Sequence, residues 1–155
     1  MKHSSTNPES RDGELELLFF DGECGFCHAS VRFLCRRHQR HQIHFAPLQG
    51  ETFARLKAEG AFHSLLGEMG AKPLPQSLIF RAQDGSLFLR SDGVVETLLR
   101  LRGGWAILGW ILWPIPRFLR DLPYRLVAAV RTKFWAKPEG HCPLLPPQQQ
   151  QRFLP

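Results

Sequence analysis

Apolar and polar positions along this chain alternate in short blocks whose spacing changes from strand to helix and back. Leu15-Glu-Leu-Leu-Phe-Phe20 is an apolar run of strand length and reads as a buried strand. From Cys24 to about Arg37 the spacing becomes helical, with Phe26, Ala29, Val31, Phe33 and Leu34 supplying a broad apolar face. Ile43–Ala46 predicts a second strand, and Glu51–Met69 a helical segment broken near Gly60. Ser77–Phe80 and Ser86–Arg90 predict two more strands joined at Asp84-Gly85, a strong hairpin signal. Ser91 or Asp92 can then cap a helix whose inner face uses Val94, Val95, Leu98 and Leu99.

A strand–helix–strand unit followed by a hairpin and a helix is the element order of a thioredoxin-like α/β domain. Parallel pairing is expected in its first half and antiparallel pairing in its second. The C-terminal third is less regular. Trp105-Ala-Ile-Leu-Gly-Trp-Ile-Leu-Trp113 is strongly apolar but stops at Pro114. A membrane-spanning helix needs about 20 apolar residues, so this run does not span. Ile115–Phe134 predicts one further helix, bent or interrupted at Pro123. Residues 1–13 are polar and predict an unstructured tail, 14–137 the domain with its helical extension, and 138–155 an extended Pro/Gln-rich tail.

With 155 residues, one domain is the simplest reading, and its length permits a real core. The first thirteen residues lack the apolar stretch of a signal peptide, so a cytoplasmic location is expected. In a reducing compartment two close cysteines are more often catalytic than structural. The net charge of +6 is unevenly placed, since residues 100–137 hold eight basic residues and a single acid, Asp121. That segment also carries all four tryptophans. Helices covering the sheet would bury most of those tryptophans and turn the arginines outward. No nucleic-acid partner is expected, and an anionic membrane surface or an acidic protein is the alternative use of the segment.

The chemistry is concentrated where the first strand meets the first helix, in Asp21-Gly-Glu-Cys24-Gly-Phe26-Cys27. Two cysteines three positions apart at a helix start suit dithiol–disulfide exchange. The helix start favours a thiolate at the first cysteine, and the second lies about one turn away, near enough to resolve a mixed disulfide. Cys24 is therefore the expected nucleophile and Cys27 the resolving thiol. Phe26, between them with Gly25, tunes the pair and meets substrate. Asp21 has two readings: a proton-managing or positioning carboxylate, or an oxygen that accepts backbone N–H bonds in the turn.

These residues resemble the DCC family of thiol–disulfide oxidoreductases, whose signature is Asp21, Cys24 and Cys27 here. The resemblance extends through Phe45-Ala-Pro-Leu-Gln49, Ser77-Leu-Ile-Phe80, Arg90-Ser-Asp-Gly93, Ile115–Asp121 with Tyr124, and Cys142-Pro143. It implies a thioredoxin-like fold and an enzyme that needs no bound cofactor. Its substrate would be a protein or low-molecular-weight disulfide, and a separate thiol or reductase would donate electrons. In thioredoxin-like proteins a cis-proline just before the third strand faces the dithiol, and Pro75 occupies that place.

Other readings compete for the same residues. Cys24-Gly-Phe-Cys27-His28 matches a haem-attachment pattern, with His28 as axial ligand and Met69 or another histidine opposite, although the preceding strand and the lack of a signal argue against it. A zinc site would draw on Cys24, Cys27, His28, His141 and Cys142, but no second Cys-x-x-Cys is present, so no metal site is expected. Cys35 lies too far along the helix from Cys24 for exchange and reads as a core thiol. Cys142 could reach the dithiol from the tail.

Overall fold

The apolar run after Leu15 becomes the second strand of a four-stranded sheet, covered on both faces. In the computed structural model, which describes residues 15–37, 43–63, 78–134 and 152–155, β1 (Glu16–Phe20) pairs in parallel with β2 (Ile43–Pro47). On its other side β1 pairs antiparallel with β3 (Ile79–Arg81), which pairs antiparallel with β4 (Leu87–Leu89). The strand order is β2-β1-β3-β4. Helix α1 (Gly25–Cys35) joins β1 to β2, α2 (Glu51–Ala58) follows β2, and α3 (Arg90–Arg100) follows the hairpin. Two further helices complete the described chain, α4 (Gly104–Leu112) and α5 (Arg117–Phe134).

Alternation along β1 explains why four apolar residues in a row, Leu17–Phe20, were needed there. Leu18 and Phe20 point to one face, where Val31, Leu34 and Cys35 of α1 meet Phe80 and Leu101. Leu17 and Phe19 point to the other, against Phe53 and Leu56 of α2 and Phe62. Leu17, Leu18 and Phe19 are fully buried. Each contributes about 1.5–3 kcal/mol through burial. At the second face Phe19 meets the rings of Phe53 and Phe62 edge-on, at 5.3 and 5.6 Å.

Close backbone approach seats α3 on the hairpin. A Cβ on Gly93 would lie 2.9 Å from the Phe88 carbonyl oxygen, so only glycine fits there without a shift. Residues 152–155 return to the outer edge of β2. The Phe45 N–H donates to the Arg152 carbonyl at 2.7 Å, and the Leu154 N–H donates to the Phe45 carbonyl at 2.9 Å. This covers part of an edge that would otherwise present open backbone groups.

Several boundaries differ from those expected. The strands expected at 77–80 and 86–90 are shorter and shifted, and α3 begins at Arg90 with Leu89 at its N-cap. Neither Ser91 nor Asp92 caps it, because both side chains bond to α5 instead. Helix α5 runs through Pro123 without interruption. The helical segment after β2 breaks at Gly60, which has φ +80°; its continuation to Met69 lies outside the described residues. So do the N-terminal tail and most of 138–155.

The expected burial of the tryptophans is corrected. Trp110 and Trp113 are 63% and 60% exposed, and among the described tryptophans only Trp105 packs against the core, its ring 4.9 Å from that of Phe33. The sheet face is already filled by α1 and α3, so beyond Trp105 α4 packs mainly on the outside of α3. There Ala106 and Gly109 are its buried residues, with Gly109 tight against Leu99. Trp135 lies outside the described residues. The arginines are not all outward either, since Arg100 and Arg120 point in to ion pairs with Glu16, Glu96 and Asp92.

Candidate active site

The turn from β1 into α1 is held by side-chain hydrogen bonds. Asp21 is buried at 8% exposure, and its Oδ1 accepts the Glu23 backbone N–H at 3.0 Å. Its carbonyl accepts the Cys24 N–H at 3.2 Å. A short polar side chain bonding two residues ahead is the Asx turn that aspartate favours. Gln49, from the loop after β2, completes the arrangement with both ends of its amide. Its Nε2 donates to Asp21 Oδ1 at 3.1 Å, and its Oε1 accepts the Gly22 N–H at 3.0 Å.

His28 closes the turn from the helix side. Its Nε2 lies 2.8 Å from the Gly22 carbonyl, and its ring packs edge-on to Phe20 at 5.4 Å. A carbonyl only accepts, so this contact places the hydrogen on Nε2. Of the two readings of Asp21, the observed bonds are those of the turn-forming one. Asp21, Gly22, His28 and Gln49 together fix where α1 starts.

Cys24 is the N-cap of α1, in extended backbone conformation, and its carbonyl accepts the first helical bond from the His28 N–H at 3.1 Å. Cys27 follows within the first turn, and both are thiols. No acidic residue stands in that turn to oppose negative charge on sulfur. Exposure is unequal: Cys24 is 5% exposed, whereas Cys27 is half-buried. Cys35 is buried in the core, as its position on the helix predicted.

Phe26 and Cys27 line a cavity of about 630 Å³ between α1, α3 and α5. Carbon dominates its wall, with Phe20, Val31, Leu98 and Val127 among the lining residues. Polar side chains at the wall are bonded to backbone or to a carboxylate behind it. Ser30 Oγ donates to the Phe26 carbonyl at 3.0 Å, Thr97 Oγ1 to the Gly93 carbonyl at 2.7 Å, and Ser91 Oγ to Asp121. The cavity thus offers the dithiol an apolar neighbour.

Helix α5 closes this side of the site through hydrogen bonds. Asp92 receives Arg117 Nε at 2.8 Å and an Arg120 terminal nitrogen at 2.6 Å. The Tyr124 hydroxyl accepts the Leu78 backbone N–H at 3.3 Å. Leu78 also lines the cavity that holds Cys27. Three separate sequence segments, at 78, at 90–93 and at 115–124, therefore converge beside the dithiol. Pro75, the expected cis-proline, lies outside the described residues, as do His141 and Cys142.

Residues 18–137 match the model of the DCC1-like thiol-disulfide oxidoreductases, a span that includes Asp21, both cysteines and every helix from α1 to α5. The chain belongs to this family. A similar protein in Bacillus subtilis, the uncharacterised protein YuxK, is 32% identical over 143 residues, covering 90% of this chain and 93% of YuxK. A chloroplastic DCC family protein of Arabidopsis thaliana is 24% identical over 124 residues, covering 80% of this chain and 67% of the plant protein. No solved structure matches significantly.

Within this DCC1-like chain, the later segments of the resemblance acquire a physical meaning. Gln49 binds the turn that carries Asp21, and Asp92, Asp121 and Tyr124 seat α5 over the cavity. Sequence reasoning missed Gln49 and the clamp made by His28. Gln49 stood inside a quoted segment, but an amide bonding across 28 residues leaves no periodic signal. No described helix is long and apolar enough to cross a membrane.

Proposed function

We propose that Cys24 and Cys27 form a redox dithiol that exchanges with a protein or low-molecular-weight disulfide. The observation that carries this reading is their joint place in the first turn of α1, directly after β1. A thiolate on Cys24 attacks one sulfur of the substrate, forming a mixed disulfide and expelling the other sulfur as a thiol. Cys27 then attacks Cys24 Sγ, closing the Cys24–Cys27 disulfide and releasing the second substrate thiol. Two electrons pass from dithiol to substrate, and a donor thiol or reductase restores them. The reverse sequence oxidises a substrate dithiol.

Cys24 stands at the N-cap of α1, where the first backbone N–H groups lack helical partners, while exposure favours access to Cys27. We give the attack to Cys24, because the helix start acts on the reactive thiolate itself and exposure can change as substrate seats. Asp21 acts as a positioning residue for the turn, and Phe26 and Pro75 are the substrate-facing groups of this reading. The cytoplasm, a reducing compartment, would keep the pair ready as a dithiol. Mass spectrometry of the Cys27→Ser variant after addition of a disulfide substrate tests the scheme. A stable adduct on Cys24 is expected. An adduct on neither cysteine in a folded protein refutes exchange, and an adduct found only on Cys27 of the Cys24→Ser variant reverses the roles.

A further inference from the structure

Helix α5 is built the reverse way round from an ordinary surface helix. Arg120, Asp121 and Tyr124 face the body of the protein, where they bond to Asp92, Ser91 and the Leu78 backbone. The Arg120 side chain is only 11% exposed. Phe118, Leu122 and Leu126 stand at 70%, 69% and 67%, and Val130 continues their row at 36%. Spacing by four aligns them as one stripe, about 18 Å long at 1.5 Å per residue. Helix α4 extends the pattern, with Ile107, Trp110 and Ile111 exposed and Trp113 just beyond its end. Exposed apolar residues are ordinary when scattered, but gathered on two successive helices they mark a contact surface.

Charge decides what the surface meets. Residues 100–137 carry eight basic residues and one acid; Arg100 and Arg120 are turned inward in ion pairs, and Arg117 is bonded to Asp92. That acid, Asp121, is occupied by Ser91 on the inner side of α5. Arg125 is exposed beside Leu122 and Leu126, Arg117 is exposed at the start of α5, and Arg102 is exposed just before α4. A second copy of the chain would bring this positive surface against itself. A bilayer with anionic lipids offers an apolar layer and a negative layer at the depths this face requires. Tryptophan prefers the boundary between those layers. Neither helix is long and apolar enough to cross, so both would lie in the plane of the surface.

We propose that the outer face of α4 and α5 docks this protein onto anionic membrane surfaces, with the apolar stripe in the acyl boundary and the arginines at the phosphates. The test is co-sedimentation of the full chain with phosphatidylcholine vesicles, with and without phosphatidylglycerol, followed also by tryptophan emission. Binding to the anionic vesicles with a blue shift is expected, and much weaker binding to phosphatidylcholine alone. The pair Leu122→Ser with Leu126→Ser and the pair Arg102→Glu with Arg125→Glu should each weaken binding at least about tenfold. All four side chains are exposed, so both variants should keep the wild-type far-ultraviolet circular dichroism. Failure of the wild type to bind anionic vesicles overturns the proposal, as does binding that neither pair alters. A concentration-dependent dimer that hides the tryptophans without lipid also overturns it, in favour of a second copy.

Discussion

Replacing Gln49 with Ala should show how strongly a loop after β2 holds the dithiol turn. The change removes two hydrogen bonds and touches neither sulfur. The bond from the Gly22 N–H to Gln49 Oε1 is exposed, so water can take its place and the loss is about 0.5–1 kcal/mol. The bond from Gln49 Nε2 to Asp21 Oδ1 is part-buried and reaches a carboxylate that is only 8% exposed. Losing a donor to a charged, poorly solvated acceptor costs about 1.5–3 kcal/mol. Together the variant should lose about 2–4 kcal/mol. Urea denaturation at neutral pH measures this as a lower midpoint at unchanged slope. Gln49→Glu sharpens the test, because it sets a second carboxylate against Asp21 and should be less stable than Gln49→Ala. A loss under about 0.5 kcal/mol for Gln49→Ala, or a Glu variant as stable as wild type, would refute the argument.

Two further expectations concern charged groups. Arg100 bonds Glu16 at 2.7 Å and also reaches Glu96. Burial disfavours its charge, but the hydrogen bonds it donates to these carboxylates outweigh burial and raise the guanidinium above its already high value. While its carboxylate partners are ionised, its contribution is therefore complete at pH values below the ordinary arginine range and adds no pH dependence near neutrality. Arg100→Met should cost about 3–5 kcal/mol, since it leaves the Glu16 carboxylate, 5% exposed, without its counter-charge. Adding Glu16→Gln should recover part of that loss, and thermal denaturation of the single and double variants measures both. Asp84 accepts the Ser86 backbone N–H at 2.9 Å, and this bond, with one from the Ser86 side chain, holds its carboxyl below the usual range. A lowered carboxylate stabilises above its unfolded-state pKa and loses that contribution as pH falls through the folded value. The stability difference between wild type and Asp84→Ala should therefore shrink below the ordinary carboxylate range; a difference that grows with acid would contradict the assignment.

Local chemistry and period were enough to read much of this protein from sequence. The apolar stretch Leu17–Phe20 of β1 signalled a buried strand, and Asp84-Gly85 signalled the hairpin. The place of Cys24 and Cys27 at the start of α1 also follows from residues within a few positions of each other. Other features rest on partners far away in the chain. Asp21 reads equally well as a proton-handling group or a turn former until Gln49 is seen bonding it from the next strand's loop. Ser91 and Asp92 have the composition of helix caps, but Arg117, Arg120 and Asp121 hold them, because a charged partner on α5 outcompetes a local backbone N–H. The tryptophans mark the same limit. Their apolar run predicts burial, yet α1 and α3 already fill the sheet face, and past Trp105 α4 has mainly the back of α3 to pack against. Hydrophobicity is a property of the residues, whereas the surface left to receive them depends on how the other helices have packed. For Trp110 and Trp113, that packing alone decided their exposure.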